Sequence, residues 1–189
     1  MNTKKNSKIL ALLLALAMVF VMSVPAFADT NNQVNVTVVF QQEGVELMSV
    51  PVTVTANSDR LYTVPNQTDD NSLIITQDRV SVIDATYKAL SEVGCYDSTE
   101  NALSWYREPL QNNDGTWYTK NWGGQINSMF ATPNERLNSP TDMHWWKGNA
   151  WMYSTDGGIT DNALFGTNVE VTDGMQIIWN YKYVEKNMD

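Results

Sequence analysis

The stretch GNAWMYSTDGG, Gly148 to Gly158, sets a tryptophan, a methionine and a tyrosine in a row and then halts on Asp-Gly-Gly. As a strand it sends Trp151 and Tyr153 to one face and Met152 to the other, because neighbours in extended chain point oppositely. Asp156-Gly157-Gly158 is then the turn that ends it. As an aromatic platform, the same side chains would face a ligand. A second stretch bears on the choice. Thr172-Asp173-Gly174 is a tight-turn signal, since Asp-Gly tolerates the positive φ such a turn needs. After it Met175, Ile177, Trp179, Tyr181 and Tyr183 alternate with Gln176, Ile178, Asn180 and Lys182. This pattern predicts a long strand whose aromatic face pairs Trp179 and Tyr181 with Trp151 and Tyr153. Those four aromatics are expected in the core.

Toward the N-terminus, Val34, Val36, Val38 and Phe40 alternate with polar neighbours, and Val50, Val52 and Val54 repeat the pattern after a connection around Gly44. An antiparallel hairpin with one buried face is expected, and Pro51, which cannot donate to a ladder, suits its edge. Arg60 to Asn71 reads as loop, followed by the short apolar run Leu73-Ile74-Ile75. Ser81-Val82-Ile83-Asp84 is a helix start in which the hydroxyl satisfies an orphan N–H and Asp84 sits at the positive end of the dipole. Val82, Ile83, Thr86, Tyr87, Ala89, Leu90 and Val93 form one stripe, while Asp84, Lys88, Ser91 and Glu92 fall opposite, Asp84 and Lys88 as an i,i+4 pair. Gly94 is the expected stop.

The segment 97–147 is polar, turn-rich and aromatic, and is expected to be an irregular insertion with one strand near Gln125 to Phe130. It carries Trp105, Tyr106, Trp117, Tyr118, Trp122, Trp145 and Trp146, punctuated by Asn113-Asp114-Gly115 and Trp122-Gly123-Gly124.

The first 28 residues read as a secretory signal peptide. Lys4, Lys5 and Lys8 precede the uncharged apolar run Ile9 to Val21, and Pro25-Ala26-Phe27-Ala28 supplies a small-residue cleavage site. The run is too short to span a bilayer, so no membrane insertion is expected after cleavage. Residues 29–189 suit one domain. The lone Cys95 cannot form an internal disulfide, so a core must supply the stability. Without the three signal lysines, nine Lys and Arg stand against 21 Asp and Glu, a net charge of −12. That charge repels phosphate backbones, so nucleic acid is not an expected partner.

The order hairpin, helix, irregular stretch, strand, turn, strand predicts an α+β fold of β-grasp type: a small mixed sheet packed on one amphipathic helix. Three motifs carry a narrower resemblance. They are Val80-Ser81-Val82-Ile83-Asp84-Ala85, Gly148-Asn149-Ala150-Trp151-Met152-Tyr153, and Val171-Thr172-Asp173-Gly174-Met175-Gln176-Ile177-Ile178-Trp179-Asn180-Tyr181. Together they resemble the transcobalamin-like C-terminal domain family, whose bacterial members are mostly exported domains of unknown function. The resemblance covers Leu73 to Tyr183, and the N-terminal hairpin more loosely. Where the family continues its second motif into Val-Asn-Gly, this chain has Ser154-Thr155-Asp156-Gly157, and 97–147 exceeds the family pattern. The resemblance implies a β-grasp fold with Ser81, Asp84, Trp151, Tyr153, Asp173, Gly174, Trp179 and Tyr181 as its structural motif, and a corrinoid as ligand. Animal cobalamin carriers close that ligand between this domain and a helical barrel for which the present chain has no room.

Candidate sites follow from the leftover side chains. Adjacent Trp145 and Trp146 cannot both face one core if the chain is extended there. With Trp117, Tyr118 and Trp122 they make either an aromatic platform or a local core pinning the long connections. A platform suits a flat macrocycle, a sugar ring or a protein. An isolated domain encloses a corrinoid on one side only, so it binds it weakly alone or needs a partner protein. Catalysis has little support. The single His144 excludes a two-histidine metal site within one chain, and Cys95 with His144 is the one conventional nucleophilic pair. Asp156 and Asp161 lack the alternating oxygen ligands of a calcium loop. The expectation is a secreted, non-enzymatic binding module without a metal or fixed cofactor. Its alternative is an adhesive module on extracellular protein or cell-wall glycan, associated with the cell surface.

Overall fold

The structure is a computed structural model. It describes residues 33–65, 70–135, 142–156 and 165–187 and a short strand at 137–139, with backbone alone for 137–139, 142–146 and 186–187. Strands β1 (Gln33–Gln42) and β2 (Val45–Thr55) form the antiparallel hairpin, and helix α1 (Val82–Glu92) follows. Then come β3 (Leu103–Gln111), β4 (Trp117–Ile126), β5 (Ser128–Met129), β6 (Thr132–Pro133), β7 (Leu137–Ser139), β8 (Asp142–Thr155), a 3-10 turn (Gly166–Asn168) and β9 (Gln176–Asn187). Five strands make a mixed sheet in the order β2-β1-β9-β8-β7. Its centre is a parallel pair, β1 on β9 with Phe40 opposite Trp179, and the other neighbours run antiparallel. The class is α+β, one helix laid on a sheet.

The alternation forms the core as expected. Val36, Val38 and Phe40 from β1 are buried with Val50, Val52 and Val54 from β2, Trp151 and Tyr153 from β8, and Ile177 and Trp179 from β9. All meet the apolar stripe of α1, whose Ile83, Ala89 and Leu90 are wholly buried. Each such aliphatic side chain contributes about 1.5–3 kcal/mol on leaving water. Trp151 lies opposite Tyr181, and Tyr153 opposite Trp179, with ring centroids 5.3 and 5.2 Å apart. Trp179 donates its indole N–H to the Thr86 hydroxyl on α1 (2.8 Å), which locks sheet to helix. The stretch at 148–156 is therefore a strand with Asp156 in its turn, while Gly157 and Gly158 lie outside the described residues. Met152 joins Ala150 in a separate small buried cluster on the opposite sheet face.

Ser81 caps α1 as its spacing predicts. Its hydroxyl accepts from the Asp84 amide (3.2 Å), and the Asp84 carboxylate accepts from the Ser81 amide (2.8 Å). The expected Asp84–Lys88 pair is not formed. Asp84 is buried, taking two bonds from the Arg60 guanidinium at 3.0 and 2.7 Å, because the chain before the helix folds over its first turn. Lys88 reaches Asp59 and Glu92 instead. The Gly94 stop has the positive φ of +69° that its position needs.

The expectation of an irregular insertion over 97–147 is corrected by the structure. β3 and β4 are nine- and ten-residue strands paired over most of their length, β5 and β6 form a small hairpin, and β8 begins at Asp142. The single strand expected near Gln125 to Phe130 is the end of β4 followed by β5. The error has a physical source: β3 and β4 form a separate two-stranded sheet in which β3 buries no residue and β4 buries Asn121, two glycines and Ile126, so they show no sustained apolar period.

Candidate binding surface

The β3–β4 hairpin projects as an arm whose root is in the core and whose far end is in solvent. At the root, Ile126 is wholly buried, Leu103 packs on the core, and Gly124 donates its amide to the Thr167 hydroxyl (2.9 Å). Gly123, at φ +139°, lets the chain pass Phe165 and Asn168 so closely that a Cβ would fall 2.5 Å from Phe165. Asp70 runs beside β4, donating to the Thr119 carbonyl and accepting from the Asn121 amide, both at 2.9 Å. The far end is a braced turn. Asn112 and Thr116 bond through backbone (2.8 Å) and side chain (3.0 Å), Gln111 donates to the Gly115 carbonyl (2.8 Å), and Asp114 accepts from the Thr116 amide and hydroxyl. Those bonds hold the Asp114 carboxyl below the ordinary carboxylate range, the Thr116 hydroxyl being the larger cause.

On this arm the aromatics divide between two faces. Trp117, next to the turn, is 70% exposed. Tyr118, Lys120 and Trp122 lie on the other face with Leu110 and Glu108 opposite them, by strand alternation and by the register Leu110–Tyr118 and Glu108–Lys120. A bulge adds Trp122 as an extra residue, between the Arg107–Asn121 and Tyr106–Gly123 pairs. Its indole N–H donates to Glu108 (3.1 Å), and the Lys120 ammonium stands over its ring at 4.6 Å. Trp122 remains 38% exposed, oriented from both sides. Trp145 and Trp146 sit elsewhere, in β8, with Cα partners Asn187 and Lys186 on β9. Their side chains lie outside the described residues. The structure thus brings Tyr118 and Trp122 onto one face and turns Trp117 to the other.

No family model matches the chain, and no curated protein matches it.

The remaining candidates are placed as follows. Ser81, Asp84, Trp151, Tyr153 and Trp179 are all buried in or under the core, and Tyr181 is partly buried against it. Asp173 accepts from the backbone and side-chain amides of Asn35 (2.8 and 2.9 Å), while Gly174, at φ +82°, makes the turn. Cys95 is half-buried with its thiol on the Val93 carbonyl, and burial pushes its pKa up, away from a reactive thiolate. The His144 side chain and Asp161 lie outside the described residues. Asp156 spends a carboxylate oxygen on the Gln176 amide (3.0 Å). Among the described residues no three of His, Cys, Asp and Glu gather as a metal site, and no helix is long and apolar enough to cross a membrane.

Sequence reasoning missed Arg60. It lies in a loop, as its sequence context predicts, yet its side chain is 6% exposed and bonds Asp84 and the carbonyls of Ile75 and Arg79. A lone arginine in a polar loop carries no periodic signal. The one hint was an acidic residue in the first helical turn.

Proposed function

We propose that this protein is an exported, non-catalytic interaction module of β-grasp type, similar to the transcobalamin-like C-terminal domains, that contacts a cell-wall polysaccharide through its β3–β4 arm. The observation that carries the reading is Trp117, 70% exposed beside a turn with several internal hydrogen bonds. The braced turn fixes the backbone from which this indole projects, so only its two side-chain torsions are ordered when the flat apolar face of a sugar ring stacks on it. Trp122, clamped between Glu108 and Lys120, offers a second ring of the same kind. The β-grasp assignment draws support from the sheet order, in which the first strand lies parallel to the last at the centre of the sheet, with the helix across one face.

A corrinoid, the ligand implied by the resemblance, is the less favoured occupant. Tight small-molecule sites enclose about 70–90% of their ligand, and a two-stranded arm with aromatics on opposite faces encloses little.

Co-sedimentation with purified cell-wall polysaccharide tests the reading. The protein is expected to sediment saturably, and Trp117→Ala to weaken binding about tenfold, or 1.4 kcal/mol. Full binding by Trp117→Ala would move the contact off the turn, and full binding by the Trp117→Ala, Trp122→Ala double variant would move it off the arm. No sedimentation, combined with saturable tryptophan quenching by cyanocobalamin, would replace the polysaccharide with the corrinoid.

A further inference from the structure

The loop that carries Arg60 also shapes an open groove of about 340 Å³, lined by Arg60, Tyr62, Val64, Asn71, Ile74 and Ile75 among others. This lies at the lower end of the roughly 300–1,000 Å³ of small-ligand sites. The groove owes nothing to the arm's exposed tryptophans.

Arg60 and Tyr62 spend most of their polar capacity within the protein, and what is left over on these two side chains has a definite chemistry. Arg60 has five N–H donors. Its Nε and one Nη2 hydrogen go to Asp84, the other Nη2 hydrogen to the Arg79 carbonyl, and one Nη1 hydrogen to the Ile75 carbonyl. The second Nη1 hydrogen has no acceptor among the described residues. Tyr62 carries the complement. The Ser81 hydroxyl donates to Asp84, so the Tyr62 hydroxyl must be the donor in its 3.1 Å bond to Ser81, and its oxygen keeps lone pairs to accept with. One donor and one acceptor thus stand on neighbouring side chains, the guanidinium carbon 5.1 Å from the Tyr62 ring centre.

Charge narrows the ligand. The single cation is already paired with Asp84, and Asp78 acts on it as well. An anion entering the groove meets two carboxylates for one guanidinium. A neutral carbonyl oxygen has no such penalty. Val64, Ile74 and Ile75 supply an apolar wall, and nearby Leu61 and Leu73 are 45% and 43% exposed.

We propose that the groove between residues 60–65 and 71–77 binds an extended, neutral apolar residue through the two peptide units that flank it, the preceding C=O accepting from Arg60 Nη1 and the following N–H donating to Tyr62 Oη.

The probe is N-acetyl-leucine N′-methylamide, followed by the methyl NMR signals of Val64, Ile74 and Ile75. Saturable shifts on these three at about millimolar concentration are expected. N-acetyl-leucine, which ends in a carboxylate, is expected to bind at least about fivefold more weakly, as is the methyl ester, which lacks the second N–H. Val64→Trp fills the groove without touching the ion pair and is expected to abolish the shifts at Ile74 and Ile75 while the protein stays folded. Arg60→Lys, if folded, is expected to lose them too. No shifts at about 50 mM would overturn the proposal. Equal binding of the carboxylate would overturn the neutral-acceptor chemistry, and equal binding of the ester would overturn the N–H contact with Tyr62. Binding retained by Val64→Trp would overturn the location.

Discussion

Asn121 is wholly buried in β4, and neither atom of its side-chain amide has a hydrogen-bond partner among the described residues. A buried amide left this way costs about 1–3 kcal/mol, because water contacts are lost and nothing replaces them. Replacement by an apolar β-branched side chain removes that cost and suits a strand. Asn121→Val is therefore expected to be more stable by about 1–2 kcal/mol, seen as a higher urea midpoint at unchanged slope. A lower midpoint would mean that the amide is satisfied in solution. The contrast with Asp84 is instructive. Asp84 is as buried, yet each of its oxygens is bonded, by Arg60, by Ser81 or by both. The Ser-x-x-Asp spacing made the cap legible in the sequence. The arginine that completes it was not legible, because a contact between residues 24 apart leaves no local pattern.

Among the elements, β1, β2, α1, β8 and β9 were readable because each buries one face, and burial of one face imprints a period of two or of 3.6. The arm was not. Its residues Trp117-Tyr118-Thr119-Lys120-Asn121-Trp122 place large and polar groups on both faces, so alternation carries no apolar sign. For the same reason the sequence could single out Trp117, Tyr118 and Trp122 as unusual without dividing them between faces. What fixes the arm's direction is its root. Gly123 combines φ +139° with a Cβ position 2.5 Å from Phe165 and 2.8 Å from the Asn168 side chain. Gly123→Ala is expected to destabilise by more than about 1 kcal/mol, since alanine tolerates neither the backbone nor the space. Its hydrogen-exchange signature should be faster exchange confined to β3, β4 and the segment around Asn168. Uniform loss of protection across the main sheet would show that the arm and the body unfold as one unit.

At the scale of the molecule, acid and alkali act through different groups. Asp70, Asp97, Asp114 and Asp173 are held below their ordinary pKa by hydrogen bonds from Ser72, Thr99, Thr116 and Asn35 respectively. A depressed folded-state pKa means that the unfolded chain takes up protons more readily. Their contribution is present above the ordinary carboxylate range and is lost as pH falls through it. Burial raises the pKa of Tyr62, Tyr87 and Tyr153, with Asp84 adding to the rise at Tyr62. Their contribution is full below the unfolded value of about 10 and is lost as pH climbs beyond it. A thermal midpoint measured against pH should be a plateau falling at both ends, below about pH 5 and above about pH 10. Tyr87→Phe removes one ionisation and should lessen the alkaline fall while leaving the acid limb in place.

The parallel pairing of β1 with β9 joins residues 37–42 to residues 176–181. In time, that pairing couples an early-made strand to one made more than 130 residues later. A ribosome adding about 5–20 residues per second makes β9 about seven to twenty-eight seconds after β1. Through that interval the β1–β2 hairpin has one flank open, and Trp151 and Tyr153, once made, lack their partners Tyr181 and Trp179. The sheet cannot close on a partial chain. Whatever holds or threads the nascent polypeptide during those seconds meets an unfolded substrate, and folding begins in earnest when the last strand is released.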